Sequence, residues 1–449
     1  MNKRVDGQTL AAGSRTIEEN GFRYMTGFGN EFETEALPGA LPKGQNSPQK
    51  VPYGLYSELF SGTTFPAPRA QNRRTYLFRI HPSVQAPKYA RIDSGLIATP
   101  PFGAAPTPNN MRWDPFEIGG QEADFVEGLA TMCGNGSPMA QNGMAMHIYR
   151  ATVSMRHKVF ANNDGEMIIV PQQGTLSLFT EMGILEIKPG EIAIIPKGVR
   201  FRVELPAGPS RGFACENFSI PFQLPELGLI GSNGLANACD FLAPVAAFED
   251  TADRCQLVQK YCGNLWATEL DHSPLDVVAW RGRCTPFKYN TEDFVAMGTA
   301  TVDHPDPSIF VALTSGGDPI LGPNADILIL PPRWLVAEHS FRPPGFHRNA
   351  VCEVVTLIKG VHQGKTGGFG PGGMSIHSNF APHGPDVKTF MQGREEALVP
   401  KKLEGTIAVL WETRFPLALT KFAQEAKEFQ SDVIGMWQGF DRLFSPDHA

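Results

Sequence analysis

Glu166-Met167-Ile168-Ile169-Val170, Thr175-Leu176-Ser177-Leu178-Phe179, Ile184-Leu185-Glu186-Ile187 and Ile192-Ala193-Ile194-Ile195 follow one another within 30 residues. Short apolar runs at regular spacing, broken by Gly or Pro, read as strands of a sandwich or barrel. The composition agrees. Charged residues are 19% of the chain, and 46 Gly and 38 Pro among 449 residues favour many short strands joined by ordered turns over long surface helices. With 42% hydrophobic residues and 30 Phe, the Gly and Pro excess is not disorder, because disordered chains lack the apolar side chains that offset ordering entropy. The length allows two or three domains.

Immediately beyond these strands, Gly190, Pro196, Gly198 and position 201 are spaced as in the second sequence motif of the cupin jelly-roll barrels. The last position of that motif is normally a metal-binding His; here it is Phe201, and Pro171-Gln172-Gln173-Gly174 supplies no ligand where the first motif has its own. Phe cannot coordinate, so this first barrel is expected to be structural, its metal site filled by apolar packing. Any β-sandwich with a Pro-x-Gly turn fits the same spacing.

Upstream, residues 20–110 are dense in Gly, Pro and aromatic residues and read as ordered arms and turns around one strand, Tyr76–Ile80. Downstream, Ser308–Leu313, Asp326–Leu330 and Val354–Ile358 mark a second β-rich unit. Leu417 to Trp437 spaces Leu419, Phe422, Ala423, Ala426, Phe429, Val433 and Met436 as one amphipathic helix would. The expected organisation is mainly β. An N-terminal β-sandwich, a degenerate cupin-like structural domain, covers residues 1–285. A C-terminal cupin-like (jelly-roll) catalytic domain with a C-terminal helix covers 286–449.

Net charge is −7 and no basic stripe is evident, which argues against a nucleic-acid partner. No stretch approaches 18 consecutive apolar residues, and the first 21 residues lack the apolar core of a secretory signal, so the expected location is the cytoplasm, with no membrane partner. Seven scattered cysteines, none in a Cys-x-x-Cys pair, read as reduced thiols and not as a zinc site.

Six of the eleven histidines, His304, His339, His347, His362, His377 and His383, fall within one 80-residue window, where random scatter would put about two. Imidazoles clustered with a carboxylate are what a divalent first-row metal requires. His347 and Glu353 are six apart, about 20 Å on a straight strand and on different faces of a helix, so the chain must reverse between them to make them share an ion. His347-Arg348-Asn349-Ala350, after Arg342-Pro343-Pro344-Gly345, suits that bend, with Glu353 heading the next strand. A Gly-rich loop, Gly364 to Gly373, leads to two candidates for a third ligand: His383, held between turn residues in Ala381-Pro382-His383-Gly384-Pro385, and His377, suited to a supporting or substrate-facing role. Two His and one carboxylate form a facial triad of the kind that holds Fe(II) and activates O2, although zinc hydrolysis uses the same set. His339, beside Glu338, reads as solvent-exposed.

Several strings together carry a family resemblance: Tyr24 to Glu31, Gly54-Leu55-Tyr56, Ala67-Pro68-Arg69, Asn163 to Met167, Cys215-Glu216-Asn217, Asn233 to Asn237, Ala243 to Ala247, Asp271 to Trp280 and His304 to Phe310. Pro331 to Trp334, His347-Arg348-Asn349, Pro371-Gly372-Gly373 and Pro382 to Asp386 continue the series. In this order and over nearly the whole length, the chain resembles the homogentisate 1,2-dioxygenases, iron enzymes of tyrosine and phenylalanine catabolism. The resemblance implies that His347, Glu353 and His383 bind Fe(II) and that His304 takes a proton from a substrate hydroxyl. It places His362, His377 and His383 against an aromatic substrate that is cleaved with O2 to maleylacetoacetate. It also implies a homohexamer, a dimer of trimers.

Three departures from the family pattern stand out. Pro-Pro-aromatic-Tyr-His is here Pro343-Pro344-Gly345-Phe346-His347, His362 occupies the place of a substrate-contacting Tyr, and Trp-His-Gly reads Trp280-Arg281-Gly282. Cleavage of a related hydroquinone such as gentisate is therefore an alternative, and a non-catalytic cupin binding protein is the alternative from another class.

Overall fold

The computed structural model describes residues 4–6, 9–10, 16–226, 236–296, 310–318, 320–336, 339, 342, 345–364 and 367–446; side chains are described from residue 16 onward. All four strands between 166 and 195 form, yet they do not lie side by side. Glu166–Gln173 and Glu191–Ile195 pair within a ten-stranded sheet, whereas Leu176–Thr180 and Gly183–Ile187 make a hairpin in a seven-stranded one. The chain crosses from the first sheet to the second at Gly174, whose φ is +77° and where a Cβ would come 2.6 Å from the Pro209 carbonyl oxygen. Ile168, Ile169, Val170, Ile192, Ala193 and Ile194 are buried, which explains why these strands read as unbroken apolar runs and not as alternations.

Strands hold 42% of the described residues and helices 8%, so the expectation of a mainly β protein is met. Phe201 is fully buried, with its ring edge-on to Phe160 at 5.6 Å and to Phe125 at 6.3 Å. Aromatic packing thus fills the position where the cupin motif would place a metal ligand. All seven cysteines are free thiols.

The C-terminal unit is built on a six-stranded antiparallel sheet in the order Val311–Asp318, Gly322–Leu330, Ile407–Thr413, Cys352–Lys359, Met374–His377, Met111–Trp113. Its last strand comes from the N-terminal part of the chain. In return, Ala418–Leu419 pairs with Leu129–Gly134 on the edge of the ten-stranded sheet. The two halves therefore exchange strands.

Leu417–Trp437 is not one amphipathic helix. Thr420 caps a five-residue helix, Lys421–Glu425, the chain leaves it at Ala426, and a 3-10 turn follows at Ile434–Trp437. Between them the backbone pairs elsewhere: Asp114 N–H donates to the Glu428 carbonyl at 2.8 Å and Gln430 N–H to the Arg112 carbonyl at 2.9 Å. Phe422 and Phe429 are half-buried against the core, Phe422 stacking on Phe116 and Phe429 meeting Trp113 at 5.3 Å. The apolar spacing is that of one helix, but a short helix delivers Phe422 and an extended segment delivers Phe429. The longest helix among the described residues, Val387–Glu395, was not foreseen; Asp386 caps it by accepting the Thr389 N–H at 2.7 Å. Among the described residues no helix is long and apolar enough to cross a membrane.

Candidate metal centre

Glu353 is the second residue of the Cys352–Lys359 strand, paired across the sheet with His377 on one side and Glu412 on the other. That places its carboxylate at the sheet end nearest the loop carrying His383. His347 reaches it because the chain does reverse. His347 N–H donates to the His383 carbonyl at 3.0 Å and His383 N–H returns to the His347 carbonyl at 3.1 Å, a two-bond bridge between residues 36 apart in the sequence. Asn349 supports the bend, its Oδ1 accepting the Val351 N–H and its carbonyl the Phe380 N–H.

The imidazoles are held alike. His347 Nδ1 lies 2.9 Å from the Gly345 carbonyl and His383 Nδ1 lies 2.9 Å from the Ala381 carbonyl. A carbonyl only accepts, so each Nδ1 carries the proton and each Nε2 keeps its lone pair. Both lone pairs face Glu353: His383 Nε2 is 3.3 Å from Oε2, and His347 Nε2 is 3.7 Å from Oε1. His383 Nε2 is buried without a hydrogen-bond partner, and one donor atom from each of the three residues lies within 4.8 Å of the others. A buried lone pair with no proton to accept is costly unless something electrophilic fills the space. Two imidazole nitrogens and a carboxylate, each oriented by an outer hydrogen bond, fit a divalent first-row metal.

The outer bonds are specific. Asn349 Nδ2 donates to Glu353 Oε1. Burial pushes the Glu353 carboxyl up, but the facing imidazoles of His347 and His383 outweigh it and hold the group well below the usual carboxylate range. The Glu353 contact raises His347 in return, against the opposing effect of burial.

His377 is buried on Met374–His377, its ring parallel to that of His383 at 4.1 Å. Its Nδ1 lies 2.8 Å from Asn110 Oδ1, and Asn110 Nδ2 donates to the Pro382 carbonyl at 3.0 Å. Asn110 thus ties His377 to the loop that carries His383. Phe346, half exposed beside His347, stacks on Phe390 at 5.2 Å and meets Phe440 edge-on at 5.3 Å. A Cβ on Gly384 would lie 2.8 Å from the Phe346 ring, so only glycine allows this wall so near the ligand loop.

The remaining expected residues lie elsewhere. His362 lines a separate cavity of about 380 Å³ with Arg342, Gln363 and Lys401, its ring edge-on to Phe369. His339 is exposed, and His304 lies outside the described residues. Arg281 bonds Asn46 and the Pro42 carbonyl in the five-stranded sheet. Asn110 and the Asn349 bond were missed. Asn349 stood inside the quoted bend, four residues before the carboxylate it supports, whereas nothing near position 110 marks it.

Residues 23–291 match the family model of the homogentisate 1,2-dioxygenase N-terminal part, and residues 292–444 match that of the C-terminal part. The chain belongs to the homogentisate 1,2-dioxygenase family. Its relative from Nitrobacter hamburgensis, named homogentisate 1,2-dioxygenase, is 50% identical over 425 residues, which are 94% of this chain and 95% of that one. Two solved structures resemble it distantly. A cupin 2 conserved barrel domain protein from Leptotrichia buccalis is 11% identical, covering 66% of this chain and 91% of its own, with a TM-score of 0.29. A variant of salicylate 1,2-dioxygenase from Pseudoaminobacter salicylatoxidans is 9% identical, covering 64% and 76%, with a TM-score of 0.27. These likenesses are too low to bear on function. Membership of the homogentisate 1,2-dioxygenase family makes the chain a ring-cleaving dioxygenase.

Proposed function

We propose that the protein is an Fe(II)-dependent dioxygenase of tyrosine and phenylalanine catabolism that converts homogentisate and O2 to maleylacetoacetate, both oxygen atoms entering the product. The observation that carries this reading is the convergence of His347 Nε2, His383 Nε2 and the Glu353 carboxylate, with the His383 lone pair buried and unpartnered. A ferrous ion there would supply redox-active coordination positions that bring substrate and O2 together.

The chain's own residues do the rest. Glu353 contributes one negative charge, and the Gly345 and Ala381 carbonyls keep both ligand imidazoles in the metal-binding tautomer. His304 accepts the proton of the substrate ring hydroxyl, a role an imidazole with an ordinary pKa near ~6.5 performs at neutral pH. His377 and His383 stand against the substrate, and the Phe346, Phe390 and Phe440 rings form an apolar wall on one side. His362 completes the substrate contacts in this proposal, which requires its loop to present it from the neighbouring cavity. The working form is a cytoplasmic homohexamer, a dimer of trimers, as the family resemblance implies.

A second reading, cleavage of gentisate, draws support from Phe346, a ring without a phenolic hydroxyl beside His347, and from His362 in place of a Tyr. Oxygen uptake with homogentisate and gentisate side by side separates the two. Faster turnover of homogentisate, restored by ferrous ion and not by zinc, is the expected result; faster turnover of gentisate rejects it.

A further inference from the structure

The two-bond bridge between His347 and His383 is a single antiparallel rung outside the named strands, so the sheet that fixes Glu353 does not extend to it. Its register puts Phe346 opposite Gly384 on the next rung, where a Cβ on Gly384 would lie 3.0 Å from the Phe346 Cα. Phe346 precedes one candidate ligand and Gly384 follows the other. Whatever grips this second rung also sets how closely the two imidazoles approach.

The C-terminal segment grips both of its members. Trp437 Nε1 donates to the Gly384 carbonyl at 3.3 Å. Three residues on, the Phe440 ring meets Phe346 edge-on at 5.3 Å and Phe390 edge-on at 5.4 Å, while Phe346 and Phe390 stack at 5.2 Å. Edge-on and offset pairs of this kind are favourable beyond the area they bury and prefer a set geometry. Phe390 belongs to Val387–Glu395, the helix that begins three residues after Gly384, so the ring cluster joins the flanks of both ligand loops.

The segment has its own anchorage upstream. Gln430 N–H donates to the Arg112 carbonyl at 2.9 Å and Gln430 Nε2 to the Gly368 carbonyl at 2.8 Å. Val433 is buried, and Gln438 N–H closes the Ile434–Trp437 turn on the Gly435 carbonyl at 3.1 Å. It therefore reaches the ligand loops from a fixed point. A pair of loops ordered before an ion arrives binds it more tightly, because the ordering cost is already met in folding.

We propose that Trp437 and Phe440 are positioning residues of the metal centre, holding the Phe346–Gly384 rung closed so that His347 and His383 stay aimed at one ion. Neither side chain touches the ion or the substrate. The proposal rests on the reading of His347, Glu353 and His383 as metal ligands.

Hydrogen–deuterium exchange of the metal-free full-length protein reads the clamp directly, through the His347 and His383 amides that bridge the loops. Trp437→Phe/Phe440→Ala is expected to speed their exchange about tenfold, and to release ferrous ion anaerobically to a chelator about tenfold faster. Phe440→Tyr keeps the ring and is expected to match the unaltered protein in both. Phe248→Ala, which removes a buried ring from the N-terminal half, is expected to lower the urea midpoint and leave both rates alone. Unchanged exchange in the double variant, or equal acceleration in Phe248→Ala, overturns the proposal. Should the double variant lose its fold by circular dichroism, Trp437→Phe alone, which gives up one N–H, is expected to speed His383 exchange about fivefold; an unchanged rate overturns it equally. An unaltered chain that takes up no ferrous ion would refute the metal reading, while the exchange rates still decide whether the segment holds the rung.

Discussion

Asn349 links the most local chemistry to a measurable affinity. Its amide donates to Glu353 Oε1, so Asn349→Ala removes an outer support of a ligand without removing the ligand. Anaerobic ferrous titration is expected to show affinity lowered about 10- to 100-fold. Glu166 gives a pH signature. Burial pushes its carboxyl up to about 7, although it accepts the Phe222 N–H at 2.6 Å and feels Arg73. Because the folded value lies above the unfolded one, the group favours folding fully only below about pH 4.5, and that contribution is lost as pH rises towards 7. The loss is about 3 kcal/mol. Glu166→Gln is expected to flatten the decline in urea midpoint between pH 5 and 7. At this scale the convergence of His347, Glu353 and His383 was legible, because His and Glu in one window announce metal chemistry by type alone. Asn110 was not, since an asparagine 267 residues from His377 carries no local pattern.

At the scale of elements, apolar runs marked the strands because strands buried on both faces tolerate only such residues. The 417–437 stretch departs from its helical spacing because Phe429 packs on Trp113 from a segment paired with the 111–113 strand, a contact no local periodicity encodes. Val387–Glu395 escaped notice because only its Asp386 cap signals a helix. In the N-terminal half, Lys260 on the Cys255–Tyr261 strand sits 2.8 Å from both Asp164 and Glu216, all three fully buried. Against burial, Lys260 and His147 hold the Glu216 carboxyl near a pKa of about 2, so its contribution is present above pH 4.5 and lost only as pH falls through that value. Lys260→Met strands two buried carboxylates and is expected to cost about 3–5 kcal/mol in chemical denaturation. Trp113, fully buried with Nε1 donating to the Ala423 carbonyl at 2.8 Å, joins the exchanged strand to the C-terminal segment. Trp113→Ala is expected to cost about 3–5 kcal/mol by the same assay.

For the molecule as a whole, the exchanged strands make the metal centre depend on both halves. Met111–Trp113 borders the strand carrying His377, and Asn110 immediately precedes it. The overall β architecture was legible from composition and the long matched strings. The exchange was not, because it joins positions about 260 residues apart. A metal bound only by the folded chain should stabilise it by about 2.7 kcal/mol at a hundredfold excess over Kd. Chelation is therefore expected to lower the melting temperature, with ferrous ion restoring it anaerobically in the unaltered protein and less so in Glu353→Gln.

Oxygen uptake by anaerobically iron-loaded protein given homogentisate, with the absorbance of the ring-opened diketo acid followed in the same sample, bears most directly on the reading of His347, Glu353 and His383. The expected result is one O2 consumed per product formed, dependent on ferrous ion and abolished in Glu353→Gln. Undiminished turnover in that variant, or turnover restored equally by zinc, would contradict it.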